Sequence, residues 1–326
     1  MTFGDATGAL ALLAPYDKLL LAVSGGPDSV ALMLLCARWG PRASHEISVA
    51  TVDHRLRPAA RAEAEQVGEW AQALGFEHHV LTWEGEKPKT RIQERARAAR
   101  YALLAECARN IGADAIVTAH HADDQAETIL FRLTRGSGVS GLTGMSKKSD
   151  SHGLALLRPL LGFPKSALVG ICDHADHPYF SDPSNADDVY ARARLRKLAP
   201  LLADQGLDRD ALLRLGERAG RADAALASCA AMAHERALLE SAPALSRFDA
   251  AALAQAPLEI LQRILAREIA RLAPDSRPRL DRLERAAGRL AEALRAKAPL
   301  RLTIVDLLIE SRVIDVTLRP APPRRT

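Results

Sequence analysis

The stretch Ser24-Gly25-Gly26-Pro27-Asp28-Ser29 interrupts an otherwise apolar run from residue 19 to residue 35. Two glycines in a turn let backbone N–H groups approach an anion with no Cβ in the way. Pro27 suits the first turn of a helix, where its missing N–H costs nothing, and a helix N-terminus presents unpaired donors and a positive dipole end. Ser24 and Ser29 add hydroxyls. These residues predict a phosphate ligand, yet the lysine of a Walker loop is absent and Asp28 stands where it would repel phosphate. A carboxylate fits there once Mg²⁺ lies between it and phosphate oxygens. Taken alone, an acid in a first turn merely favours the helix dipole, by a few tenths to about one kcal/mol.

A second polar cluster, Thr118-Ala-His-His-Ala-Asp-Asp124, carries two histidines and two carboxylates. Asp123 and Asp124 open a helix directly after a strand, a place where an acid can act as a plain N-cap. His120 and His121 lack a third ligand at suitable spacing, so zinc is set aside. His120 is expected to contact nucleotide or substrate. Arg97, Arg100 and Tyr101 share a helix near residues 92–110, and Arg132, Arg135, Lys147 and Lys148 flank the glycine-rich segment GSGVSGLTG. With Arg192, Arg194, Arg196 and Lys197 they are candidates for contacts to a nucleic-acid backbone. A solvated basic face is the alternative for each of them.

The elements that must position these residues alternate in type. KLLLAVS (18–24), ISVATVD (47–53), EHHVLTW (77–83) and DAIVTAH (114–120) read as strands, with helices predicted near 27–39, 60–75, 92–110 and 123–134. Strands separated by helices imply an α/β doubly wound parallel sheet, Rossmann-like, with right-handed crossovers. In such sheets ligands bind beyond the carboxyl ends of the strands. Ser24, Asp53-His54 and His120-His121 therefore converge on one edge. After residue 205 the pattern becomes helical and rich in Arg and Ala. The chain is thus divided at 1–205 and 206–326, a sheet domain followed by a smaller all-helical domain. A short β-rich C-terminal segment closes it, read as two strands turning around Glu310-Ser311.

Composition narrows the class further. Across 326 residues the net charge is only +4 and aromatics make up 4%, so a polyanionic partner would be held by charge and shape more than by stacking. The cysteines Cys36, Cys107, Cys172 and Cys229 are widely spaced, form no C-x-x-C pair and lie in apolar or alanine-rich stretches. Buried thiols in a reducing cytoplasm are expected, with no disulfide framework or zinc site. No signal peptide or membrane span is read from the sequence. The oligomeric state stays open, a homodimer being one option.

Ser-Gly-Gly-x-Asp-Ser after a strand resembles the loop of the PP-loop ATP-pyrophosphatases, which form adenylates and release pyrophosphate. Within that superfamily, VDHRLRP (52–58), QERARAARYALL (93–104), TAHHADDQAETILFRLTRGSGVSGLTGM (118–145), RPLL (158–161) and DPSN (182–185) follow in the order seen in tRNA(Ile)-lysidine synthases. The resemblance implies the adenine-nucleotide α-hydrolase type of fold, with ATP, Mg²⁺, L-lysine and a tRNA(Ile) bearing a CAU anticodon as cofactors and partners. It implies ATP binding by Ser24, Gly25, Gly26, Pro27, Asp28, Ser29 and His120, and a magnesium and catalytic pair of Asp28 and Asp124. Arg97 and Arg100 would meet lysine or ATP; Arg135, Arg192, Arg194 and Arg196 would meet tRNA. Ala193 departs from the family, which usually carries asparagine there. Two alternatives remain at this point: another adenylating enzyme of the superfamily, or a non-catalytic nucleotide- or tRNA-binding module. Absent cysteine pairs weigh against tRNA thiolation, and the two carboxylates weigh against a mere binding module.

Overall fold

A computed structural model describes residues 8–56, 58–85, 87, 90, 92–181 and 191–322; the side chains of residues 42, 93, 191–193 and 196 fall outside that description. The DPSN segment (182–185) and the side chains of Arg192 and Arg196 therefore lie outside the described residues.

The apolar run at 19–21 becomes the central strand β1 (Lys18–Ala22), flanked by β2 (Glu46–Asp53) and β4 (Ala115–Thr118), both parallel to it. Next to β2 lies β3 (Glu77–Thr82), also parallel; next to β4 lies β6 (Leu154–Leu157), and the antiparallel β5 (Lys148–Ser151) closes that edge. The order β3-β2-β1-β4-β6-β5 reverses direction between β1 and β4. That switch point is where a crevice opens in doubly wound sheets. The β5–β6 hairpin gave no signal in the sequence reading, because its residues Lys148–Ser151 lack β-branched or aromatic character.

Strand alternation splits the first core in two. Leu19 and Leu21 face α1 (Pro27–Ala37), α2 (Ala60–Ala73) and a helix at Lys165–His174 (α5), whereas Leu20 faces Tyr101, Leu104 and Ala108 of α3 (Ile92–Ile111). A sheet covered on both faces explains why β1 reads as an unbroken apolar run. Helix α1 is buried from Ser29 to Cys36, as its uniformly apolar sequence requires. Helix α4 (Ala122–Leu133) follows β4, and a single helical turn, Val139–Leu142, follows α4. The helices at 27, 60, 92 and 123 all form within a residue or two of where periodicity placed them.

Two compact units result. The first takes the described residues of Met1–Thr134 and Gly144–Arg214, including α6 (Ala191–Asp204); the second takes Arg135–Thr143 and Leu215–Thr326. The boundary falls inside the long helix α7 (Arg209–Ala237). The second unit contains α8 (Ala250–Ala254), α9 (Leu258–Leu272) and α10 (Leu280–Ala296), whose apolar stripes pack on one face of an antiparallel sheet. That sheet is larger than the expected C-terminal segment. Its order is β7-β8-β11-β10-β9, from β7 (Leu238–Ala242), β8 (Leu245–Asp249), β9 (Leu300–Ile304), β10 (Leu307–Ser311) and β11 (Asp315–Pro320). The start of β7 carries a helical pattern because Leu238 and Leu239 continue the apolar spacing of α7. Glu310 and Ser311, expected at a turn, pair within β10; the chain turns instead at Val305-Asp306 and before Asp315. Val305 carries a positive φ of 46° at the first of these turns.

Cys36, Cys107 and Cys172 are buried as expected, but Cys229 is exposed. Its alanine-rich neighbourhood on α7 is apolar only through small side chains, several of which also face solvent.

Candidate active site

The loop after β1 is fixed from inside. Ser29 Oγ donates to the Gly26 carbonyl at 2.9 Å, accepts from Ser24 N–H at 3.1 Å and lies 3.2 Å from Ser24 Oγ. Gly26 takes the N-cap position in extended conformation and Pro27 starts α1, so the expected helix N-terminus is present. The loop is also held from outside. Phe180 N–H donates to the Gly25 carbonyl at 2.8 Å, and a Cβ at Gly25 would lie 2.5 Å from the Phe180 ring. Gly25 has φ +85°, a conformation side chains rarely adopt. Phe180 stacks at 5.0 Å on Trp70 of α2, which also meets His177 edge-on at 5.2 Å. This aromatic brace was missed in the sequence, where the scarcity of rings drew attention away from the few that pack on the loop.

Asp28 in the first turn of α1 and Asp124 in that of α4 are brought to one imidazole. His121 Nε2 lies 3.4 Å from Asp28 Oδ2 and 3.5 Å from Asp124 Oδ2. His121 is the N-cap of α4: its Nδ1 accepts Asp124 N–H at 3.4 Å while its own N–H donates to Asp124 Oδ2 at 3.1 Å. The cap is thus the histidine, and Asp124 completes a capping box from N3 rather than capping in its own right. With Nδ1 used as acceptor, the ring proton on Nε2 faces the two carboxylates. Burial works against charging this buried imidazole, but the Asp28 hydrogen bond and the charges of Asp124, Asp28 and Asp123 outweigh it and raise its pKa. Burial also raises Asp124, against the pull of His121. The sequence places His121 on the converging sheet edge and gives it no role beyond a discounted zinc ligand; the shared carboxylate contact depends on tertiary placement and has no local signal.

Asp123 lies on the other side of the imidazole, its Oδ2 3.6 Å from His121 Nδ1. The same Oδ2 accepts Lys165 N–H at 2.8 Å and so satisfies the start of α5. His120 Nδ1 lies 2.9 Å from Thr118 Oγ1. Burial, together with the charges of Arg97, Arg100, Arg158 and His121, pulls His120 down to about 3, so it is a neutral hydrogen-bonding group. Arg97 and Arg100 both lie over Tyr101, at 5.0 and 5.3 Å from the ring centroid, and Arg97 Nη2 reaches Tyr101 Oη at 3.3 Å. Burial lowers the Arg100 pKa, and Asp124 is among the groups that support its charge. Arg158, quoted in RPLL but given no role, is buried; its Nη1 donates to the Ser146 carbonyl and Ser149 Oγ while its Nε has no partner among the described residues. The site edge thus collects Asp28, His120, His121, Asp124 and a basic group from α3 and from Arg158 just after β6. Arg194 is exposed on α6, and Arg135 is exposed in the second unit.

Gln125 of the same motif grips the returning chain with both ends of its amide, Oε1 accepting Met145 N–H at 2.7 Å and Nε2 donating to the Met145 carbonyl at 2.9 Å. Arg132 Nη1 donates to the Gly144 carbonyl at 2.7 Å. These contacts explain why a glutamine sits between the acids and the helix body.

Among the described residues no group of three or more His, Cys, Asp or Glu side chains is arranged to hold a metal by itself. The carboxylate pair meets a different test. Asp28 Oδ1 is buried without a hydrogen-bond partner among the described residues, a costly arrangement unless a cation or donor joins it. Two carboxylates plus phosphate oxygens are the donor set Mg²⁺ prefers.

Residues 6–202 match the family model of the PP-loop domain. A tRNA(Ile)-lysidine synthase of Methylobacterium sp. (strain 4-46) is 49% identical over 310 residues, covering 94% of this chain and 90% of that protein. The chain belongs to the tRNA(Ile)-lysidine synthase family. The family member of Rhodopseudomonas palustris is 42% identical, with 98% of this chain and 96% of that one covered, so the likeness runs through both units. Among solved structures, a U34-tRNA thiolase from Methanococcus maripaludis shares the fold with a TM-score of 0.55 at 14% identity, over 66% of this chain and 77% of that one. The chain is accordingly an ATP-dependent ligase with a PP-loop domain. No helix among the described residues is long and apolar enough to cross a membrane.

Proposed function

We propose that this chain joins L-lysine to C2 of the wobble cytidine in the CAU anticodon of tRNA(Ile), converting ATP to AMP and pyrophosphate. The observation that carries this reading is the meeting of Asp28, from the glycine loop, and Asp124, from α4, on one imidazole at the switch point of the sheet. Cytidine O2 attacks the α-phosphorus, and the bond to pyrophosphate breaks. The lysine ε-amine then attacks C2, the C2–O bond breaks with AMP as leaving group, and a proton is released. Adenylation converts a poor leaving oxygen into a good one and splits one hard step into two.

Each residue has a task in that sequence. Gly25 and Gly26 open the backbone to the departing pyrophosphate at the N-terminus of α1, and Ser29 keeps the loop in shape. Asp28 and Asp124 are the residues that would hold Mg²⁺, which when bound offsets the negative charge on the phosphates. Neutral His120 offers a hydrogen bond without adding charge. Arg97 and Arg100 can each pair bidentately with a phosphate or with the carboxylate of lysine. Arg135, Arg192, Arg194 and Arg196 are assigned to the tRNA backbone. The cytoplasm, where tRNA is modified and thiols stay reduced, is the proposed location.

Incubation with an unmodified tRNA(Ile) transcript, ATP and labelled lysine tests the reading. Label entering the tRNA is expected. No incorporation, while a known family member works in parallel, overturns it.

A further inference from the structure

The glycine-rich stretch Arg135–Thr143 leaves the first unit after Thr134, packs with the second, and returns at Gly144. Its central hydroxyl is already committed. Ser140 Oγ donates to Asp223 Oδ1 of α7 at 2.5 Å, and Arg263 Nη2 of α9 lies 3.2 Å from the same Ser140 Oγ. The triangle closes with an Arg263 Nη2–Asp223 Oδ1 ion pair of 2.8 Å, and Glu259 holds the other side of the guanidinium at 2.8 Å. Arg263 is 16% exposed, so its geometry is confined by packing as well as by charge. Burial pulls the Asp223 carboxyl up, but hydrogen bonds from Ser140 and Arg263 hold it below the usual carboxylate range.

The glycines shape this turn rather than a phosphate cradle. A Cβ at Gly141 would lie 2.7 Å from Ser137 Cβ, and Gly136 has φ +66°. An anion arriving at Ser140 would meet the Asp223 carboxylate, which repels it. Arg135, at the head of the segment, is exposed.

We infer that Asp223 and Arg263 are positioning residues that grip Ser140, so that the glycine-rich segment holds Arg135 toward the tRNA phosphate backbone. The inference rests on the tRNA-modifying reading above, but its readout is tRNA binding and not catalysis. A structural role alone would lower stability without making the Arg135 and Arg263 effects depend on each other.

The experiment is a double-mutant cycle on the full chain, with tRNA(Ile) dissociation constants measured by filter binding over a range of salt. Arg135→Ala and Arg263→Ala are each expected to weaken binding about tenfold, and the double variant no further than about tenfold, because the second change removes what the first had already misplaced. The slope of log affinity against log salt should fall by about one in Arg135→Ala and in Arg263→Ala alike. The affinity for ATP should stay unchanged throughout. A multiplicative loss of about a hundredfold in the double variant overturns the inference, as does binding within twofold of wild type in Arg263→Ala. If Arg263→Ala fails to fold by circular dichroism, Ser140→Ala takes its place in the same cycle with the same expected non-additivity. Wild-type protein that binds tRNA without incorporating lysine would refute the proposed reaction while the cycle still decides on the clamp.

Discussion

Substitution of Gly25 by alanine isolates the brace on the phosphate loop. Gly25 sits at φ +85°, and an added Cβ would lie 2.5 and 2.9 Å from two carbons of the Phe180 ring and 3.0 Å from Val67 Cγ2. The ring cannot simply swing away, since Trp70 packs against it at 5.0 Å. The backbone conformation costs about 1–2 kcal/mol for a residue with a Cβ. Forcing the methyl against a packed ring adds about 1–3 kcal/mol. Together, about 2–5 kcal/mol against the native loop lowers the fraction in the working conformation at least about thirtyfold. The assay is tRNA- and lysine-dependent pyrophosphate release, read as kcat/KM for ATP, with a thermal melt confirming that the chain stays folded. Combining Gly25→Ala with Phe180→Ala removes the two shortest contacts, leaves the one to Val67 Cγ2, and keeps the backbone hydrogen bond from residue 180 to the Gly25 carbonyl. In the Phe180→Ala background the added loss from Gly25→Ala should therefore shrink to about five- to thirtyfold. Gly26→Ala is the control for the free protein, because its nearest contact would be Ser24 Oγ at an ordinary 3.7 Å. Near-wild-type activity in Gly25→Ala, or an equal loss in both backgrounds, would refute the brace.

Three further outcomes follow from the same geometry. Asp28→Asn and Asp124→Asn should each reduce turnover by about 10²-fold or more and raise the magnesium concentration needed for half-maximal rate, measured by magnesium titration of pyrophosphate release; an unchanged magnesium dependence would remove the metal role. Glu268 is 1% exposed and accepts hydrogen bonds from His234, at 2.7 Å, from Ser246 and from Arg271; these overcome the effect of burial and depress its pKa below the ordinary 4.5. The unfolded chain therefore binds this proton more readily than the folded one, so the stabilisation is complete above about pH 4.5 and disappears as pH falls through the lower folded value. Glu268→Gln should lose about 3 kcal/mol of stability at pH 7 and show a flatter fall of the urea midpoint below pH 4.5; parallel falls in variant and wild type would contradict the network. His120, held near 3, stays neutral when folded but takes a proton when unfolded below its ordinary 6.5. Stability of the chain should thus decline from about pH 6.5 toward 3, by at most about 1.4 kcal/mol per pH unit from this group. His120→Gln should remove that share of the decline in urea titrations at pH 7 and pH 5, and an identical decline would show that the imidazole is not so buried.

Much of the first unit was legible because its signals are local. The apolar strand at 19–21, the Gly-Gly-Pro turn and the helix periodicities near 27, 60, 92 and 123 each depend on neighbours a few residues away, and each element formed where the pattern placed it. Asp28 and Asp124 could be paired because both follow strands that end on the same sheet edge. What escaped was tertiary. His121 looked like a spare histidine until α4 carried it between two carboxylates, and Phe180 reaches Gly25 across more than a hundred residues of chain. In the second unit the start of β7 continues the apolar spacing of the preceding helix, so only its pairing with β8 distinguishes it. Ser140 lay in a stretch that reads as an open glycine loop; its commitment to Asp223 and Arg263 comes from helices far along the sequence.

The stoichiometry of nucleotide products against lysine incorporated tests the central chemistry most directly. With ATP labelled at the α-phosphate and a tRNA(Ile) transcript bearing the CAU anticodon, one AMP and one pyrophosphate should appear for each lysine joined, and neither should form when the wobble cytidine is replaced by uridine. Release of ADP and inorganic phosphate, or AMP formation indifferent to the wobble base, would contradict cleavage at the α-phosphate by a loop that serves cytidine adenylation.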